Sequence, residues 1–230
     1  MHETIIQTGA ASLAYTRDDG IKIYSKIGLH FYDTLIMGAV TRHVWNCPSD
    51  VFVAYYRDHV TANHADIGVG TGYCLDHCGL VAGESRLALI DLQPNCLAFA
   101  ALRLARYRPE TYLRDVGEPL SGMQPFDSIG LGGILHCLSG DMQRKGLVFD
   151  SLRPITTAGT IIFGYTLVND AIQQRARRRA VFRLFHRLQV INCKQDSVGT
   201  LEQALALRFD DYSIKQVGCF AFFRAVVPQR

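Results

Sequence analysis

Three acidic residues and a cluster of glycines carry most of the chemistry legible in this chain. The run Asp66-Ile67-Gly68-Val69-Gly70-Thr71-Gly72 follows a short apolar stretch and precedes Tyr73, the pattern of a strand turning through glycines into a helix. Such a turn lets backbone approach a ligand closely, and the helix N-terminus presents amide N–H groups to acceptor or anionic atoms. Spacing decides which ligand. A dinucleotide fingerprint requires glycine or alanine where this chain has Tyr73, and a nucleotide P-loop requires Lys then Ser or Thr after its last glycine; neither is present. Asp66 stands at the strand end, where it would repel a pyrophosphate, so the ligand is expected to carry positive charge. Asp91, with Leu92 beside it, closes the second strand about 20 residues beyond the glycines, where an acid accepts hydrogen bonds from ribose hydroxyls. Asp115-Val116 closes the third and is placed to reach an adenine edge. One strand-end aspartate is commonly a cap or turn former; three at these spacings point to a cationic nucleoside.

Bringing three strand ends together requires a parallel sheet, and the rest of the sequence supplies one. Apolar positions with helical spacing run from Tyr24 to Tyr56, broken at Cys47-Pro48 and restarted at Ser49-Asp50 as an N-cap, which predicts two helices before the first strand. Strands are expected at His64–Gly68, Arg86–Asp91, Glu110–Asp115, Phe126–Leu131 and Thr160–Thr166. Helices are expected at Tyr73–Cys78, Asn95–Tyr107, Asp141–Leu152, Ala171–Val190 and Leu201–Leu207. Tyr212–Gln216 and Cys219–Val226, joined at Gly218, read as an antiparallel pair. The whole is an α/β fold of seven strands, mostly parallel, with helices on both faces and the ligand crevice at the carboxyl ends of the strands. No linker rich in Pro, Gly or Ser divides it. One domain over 1–230 is expected, with lid helices over about 20–60 and a sheet core over about 63–227.

Bulk properties are those of an ordinary globular protein: 48% hydrophobic, 20% charged and a formal charge of +3, too small to imply nucleic acid by itself. Seven widely spaced cysteines with no signal segment suggest a reducing, cytoplasmic setting. Cys74, His77 and Cys78 lack a second ligand pair at zinc-site spacing, so no metal is expected there. No apolar run approaches the roughly 20 residues that span a bilayer.

The segments NHADIGVGTGYCLD (63–76), LALIDLQPNCL (87–97), RYRPETYLRDV (106–116) and FDSIGLGGILHCL (126–138) resemble class I S-adenosylmethionine (SAM)-dependent methyltransferases of microbial small-molecule metabolism. The likeness covers roughly residues 22–227. It implies the class I Rossmann-like fold, with S-adenosyl-L-methionine as cofactor. The cofactor would be held by Asp66, Gly68, Gly70, Gly72, Asp91, Leu92, Asp115, Val116 and Leu131. YSKIGLHFYD (24–33) and the pair Arg42 and Trp45 look like lid elements of that group. The resemblance places Tyr24 and Tyr32 against the methionine end of the cofactor and lets Trp45 help close the pocket; aromatic packing of a helix on the sheet is the structural alternative.

Methyl transfer is an in-line displacement, so the protein must align nucleophile, methyl and sulfur and exclude water. Leu131-Gly132-Gly133-Ile134-Leu135-His136 should border the methyl group. His136 is the candidate catalytic residue, as general base or as a group that orients the substrate, against the alternative of a packed junction histidine. An Asx-Pro-Pro-aromatic run of amine methylases is missing there, as is the acidic cluster that holds a divalent cation in catechol-type enzymes. Metal-independent transfer to a small organic molecule, at oxygen, is the expected reaction. The Gly132-Gly133 pair departs from the bulkier sequence of many relatives and is expected to make room for a larger substrate. Two alternatives remain: a methyltransferase-fold enzyme running a cyclisation or pericyclic step, and a SAM-binding interaction protein docking a partner or RNA through the helix bearing Arg175, Arg177, Arg178, Arg179, Arg183 and Arg187. Its apolar stripe (Ile172, Val181, Leu184, Leu188) favours a solvated arginine face over nucleic acid. The expected assembly is a monomer or homodimer.

Overall fold

Apolar strands alternating with helices from Asn63 onward produce one seven-stranded sheet. The computed structural model describes residues 26–229. Its strands are β1 (Asn63–Ile67), β2 (Arg86–Asp91), β3 (Glu110–Leu113), β4 (Ser128–Gly132), β5 (Ile161–Leu167), β6 (Asp211–Val217) and β7 (Phe220–Val226). They lie in the order β3-β2-β1-β4-β5-β7-β6. The first five pair in parallel, while β7 is antiparallel to both β5 and β6. Strand order reverses at β1, which pairs with β2 on one side and β4 on the other. In open α/β sheets that reversal opens the ligand crevice.

Among the described residues α1 (Lys26–Tyr32) continues into a π-helical segment, Asp33–Val40, and then α2 (Thr41–His43). The wider turn is visible where the Thr41 amide donates to the Ile36 carbonyl, five residues back, and the Thr41 hydroxyl donates to the Met37 carbonyl. Next come α3 (Ser49–His59), α4 (Tyr73–His77), α5 (Pro94–Arg103), α6 (Met142–Lys145), α7 (Leu147–Ser151), α8 (Asn169–Ile172), α9 (Ala176–Arg187) and α10 (Val198–Ala206). Three expectations are refined. Pro48, not Ser49, takes the N-cap position of α3. The helix expected over 141–152 divides at Gly146. The arginine-rich helix expected over 171–190 is two helices, so α9 starts afresh after Arg175.

Period-two alternation splits the core between the two faces of the sheet. Ala65, Ile67, Ile129 and Leu131 pack with Met142 of α6, Phe149 of α7 and Leu201 of α10. Leu87, Leu89, Phe163 and Phe222 pack with Phe52 and Tyr56 of α3, Leu75 of α4 and Ala100 of α5. Asp66 belongs to the second face, beneath the lid.

Candidate cofactor and substrate site

Between β1 and α4, Gly68, Gly70 and Gly72 all adopt left-handed backbone, with φ of 68°, 55° and 71°. A side chain at these positions would be strained, and at Gly68 a Cβ would also come within 3.0 Å of the Ile134 side chain. The loop therefore curls tightly over the crevice. Its lid attachment is electrostatic: Asp33 accepts from the Thr71 hydroxyl at 2.7 Å and from Arg103 at 2.5 Å, and Arg103 also donates to the Thr71 carbonyl.

Asp66, Asp91 and Asp115 all line the same cavity, with Leu92 and Val116. Asp66 is buried and accepts the Tyr56 hydroxyl at 2.9 Å. Burial dominates its acidity, pushing the pKa up to about 7 against the smaller, opposing effect of the Tyr56 bond. A buried carboxylate this uncomfortable by itself fits a cationic group. Asp91 accepts the amides of Gly70 at 3.3 Å and Gln93 at 2.8 Å, which couples the β2 end to the glycine loop. Burial raises its pKa too. Asp115 is oriented by the Gly117 amide at 2.8 Å.

No family model matches the chain. Its sequence is 31% identical over 208 residues to demethylluteothin O-methyltransferase of Streptomyces thioluteus, covering 90% of each chain. The chain belongs to the class I SAM-dependent methyltransferases. This methyltransferase is also 29% identical over 213 residues to the physcion biosynthesis cluster O-methyltransferase of Aspergillus chevalieri, covering 91% of the chain and 96% of that relative. The solved DhpI-SAH complex shares its fold, with a TM-score of 0.63, 16% identity and coverage of 92% and 97%. S-adenosylmethionine is the cofactor of this family. The residues fit a cationic nucleoside: a buried carboxylate with an elevated pKa, an anchored strand-end acid and a tight glycine loop share one cavity.

The methyltransferase differs from its sequence expectations at several positions. Tyr24 lies outside the described residues. Tyr32 does line the cavity, where burial raises its phenol far above the ordinary value. Leu131 does not line it: odd positions of β4 face the opposite side of the sheet, and Leu131 is wholly buried in that core. Gly132, Gly133 and Ile134 border the cavity instead. The glycine pair is also not vacant space for substrate. A Cβ on Gly132 would meet the Tyr56 hydroxyl at 2.2 Å, and one on Gly133 would meet His136 and Tyr165 at 3.3 Å. The missing side chains make room for the protein's own tyrosines and histidine.

An aromatic chamber wall of Trp45, Phe52, Tyr165, Phe185 and Phe220 lines the same methyltransferase cavity as the acids. Trp45 meets Phe185 of α9 edge-on at 6.2 Å, and Phe52 meets Tyr165 at 4.6 Å. Arg42 is exposed, away from this wall. The sequence reading missed Tyr56, Tyr165, Phe185 and Phe220, because nothing in spacing distinguishes a chamber wall from ordinary core. His64 is buried on β1, with Nδ1 2.8 Å from the Ser128 hydroxyl and its pKa lowered by burial to about 3.

The arginine helix serves the lid. Arg178 is buried and donates to the carbonyls of Val44 and Ala171; Arg177 donates to His43 and Arg179 to Gln173. Restarting the helix at Ala176 rotates its apolar face, so Phe182 and Phe185 pack inward while Leu184 and Leu188 are exposed. Among the described residues no three of His, Cys, Asp and Glu are grouped to hold a metal, and no helix is long and apolar enough to cross a membrane.

Proposed function

We propose that the enzyme methylates oxygen on a small, largely apolar organic molecule of secondary metabolism, as its relatives' names suggest for them. One observation carries this reading: a single cavity is lined both by the strand-end acids and by a chamber wall of aromatic rings, with His136 and Gly133 among its lining residues. Asp66 takes the cofactor's ammonium, Asp91 its ribose, Asp115 and Val116 its adenine, while Tyr32 and the glycine loop enclose the methionine end. When bound, the cofactor supplies an activated methyl group; the chain's part is to orient the acceptor and keep water out. Carbonyl-bound arginines on α9 favour a structural role there over nucleic-acid binding. The chamber's thiols, phenols and single imidazole supply no oxygen-rich cluster of the kind a hard cation such as magnesium needs, which supports metal-independent chemistry. Seven cysteines, none of them in a disulfide among the described residues, accord with a reducing cytoplasm. A monomer or a homodimer is the assembly compatible with this site.

Methyl-labelled SAM incubated with a panel of phenols, enols and amines tests the reaction. Label on oxygen supports it; label on nitrogen alone overturns the acceptor atom, and cofactor binding with no label anywhere favours a non-methylating reaction. Asp91→Ala tests the site: calorimetry should show SAM binding weakened about 10-fold, the scale of one or two lost hydrogen bonds to a charged group, with the fold intact by circular dichroism.

A further inference from the structure

Resting on the methyl-transfer reading, we propose that His136 serves the acceptor as a hydrogen-bond donor through Nε2–H and does not act as its base. The ring sits on the 3-10 turn Leu135–Cys137 after β4, and its Nδ1 lies 3.2 Å from the backbone nitrogen of Leu167, whose N–H points to it. A backbone N–H can only donate, so Nδ1 must carry the lone pair and the proton of neutral imidazole resides on Nε2. The Thr166 hydroxyl, 3.5 Å from the same nitrogen, can reinforce that choice.

Its surroundings hold the ring in place. Phe220 stands edge-on at 6.3 Å, the His136 carbonyl accepts the Asn192 amide, and Gly133 packs against the ring with φ of 80°, where a Cβ would be 3.3 Å from Cε1. Nε2 has no protein partner among the described residues, and the ring borders the cavity. Burial, with a smaller contribution from Lys145 on α6, lowers the pKa to about 3, so the ring is neutral at pH 7. Lys145 is itself paired with Asp196, and the Cys137 thiol beside the ring donates to the Gly133 and Val190 carbonyls.

A base needs its lone pair on the nitrogen facing substrate. Placing it on Nε2 would move the proton to Nδ1 and set two N–H donors against each other. The acceptor's proton therefore leaves by a route other than His136, and the oxygen reacts in its ionised form. Its lone pair then forms the new bond to the methyl carbon, the old carbon–sulfur pair stays on sulfur, and the sulfonium and oxyanion charges cancel. The Nε2–H bond fixes the direction of attack and favours the ionised acceptor.

Long-range proton–nitrogen correlation on the labelled protein with S-adenosylhomocysteine reads the tautomer without any acceptor. A protonated Nε2 and bare Nδ1 from pH 6 to 8 are expected; a proton on Nδ1, or imidazolium at pH 7, overturns the proposal. On the phenol panel, His136→Gln supplies both an acceptor for Leu167 and an amide donor, and should keep kcat/KM within about threefold. His136→Phe should lose roughly 10- to 100-fold, as for a hydrogen bond to a charged group. The pH profiles of wild type and His136→Gln should coincide and follow each phenol's own pKa; a limb lost only in the Gln variant identifies a base and refutes the donor role. If the wild type methylates nothing on the panel, the parent reading fails, whereas a wrong tautomer in an active enzyme defeats this inference alone.

Discussion

Asp66 is the residue whose environment says most about the ligand. Buried beside the Tyr56 hydroxyl, with Asp91 also disfavouring its charge, it holds a pKa near 7 against the ordinary 3.8. In the ligand-free protein the ionised form is penalised, so this group's contribution to stability falls as pH rises from about 4 to about 7. A cation reverses the balance. SAM affinity should therefore weaken as pH drops from 8 to 6, as Asp66 takes up a proton, and calorimetry with Asp66→Asn should show weak binding that is flat across that range. Gly132 makes a companion test. Gly132→Ala places a Cβ into the Tyr56 hydroxyl, so it should displace Tyr56 and weaken cofactor binding severalfold, while Tyr56→Phe/Gly132→Ala should recover part of the loss by removing the clash.

At the scale of elements, the chamber wall formed by Val190 and Ile191 depends on a buried ion pair outside the cavity. Lys145 of α6 reaches Asp196 at 2.6 Å and the Asn192 carbonyl at 2.5 Å, with both charged side chains fully buried. Among the described residues the second oxygen of Asp196 has no hydrogen-bond partner, so the lysine is the main compensation for its charge. Lys145→Met should cost about 3–5 kcal/mol in denaturant unfolding, because it strands a buried carboxylate; Lys145→Met with Asp196→Asn should recover much of that. The lid works by similar means at its other end. Asp33, at the start of the π-helical segment, grips Thr71 and Arg103, and α9 holds the lid's last carbonyls through Arg177 and Arg178. None of these pairings is close in sequence, so no motif announces them.

For the whole molecule, the site is a seam between β1, β2, β3 and β4 on one side and the lid with α9 on the other. A ligand that bridges the seam stabilises the native state by mass action. At 100 times its dissociation constant the gain is about 2.7 kcal/mol, which in a chain of this length raises Tm by roughly 5–10 °C. Thermal melts should show that increment for S-adenosylhomocysteine at pH 8 and a smaller one at pH 6, since the ammonium needs ionised Asp66. An increment of the same size at both values would detach Asp66 from the ammonium.

The sequence by itself determined the sheet, its parallel character, the glycine loop and the three acids at or just past strand ends, because each rests on local rules: alternation, positive φ, and the position of Asp66, Asp91 and Asp115 within two residues of the carboxyl end of β1, β2 and β3. It also singled out His136 after the fourth strand as a base or orienting group, a residue that lines the cavity. What the tertiary structure decided are matters of facing and contact. Leu131 turns away because a strand alternates sides, and Gly132 yields its space to Tyr56 from a helix more than seventy residues earlier. The Leu167 amide, on a different strand, fixes which nitrogen of His136 carries the proton. Sequence specifies which groups stand at strand ends; only packing brings distant groups within hydrogen-bond range, and that distance sets both charge and tautomer.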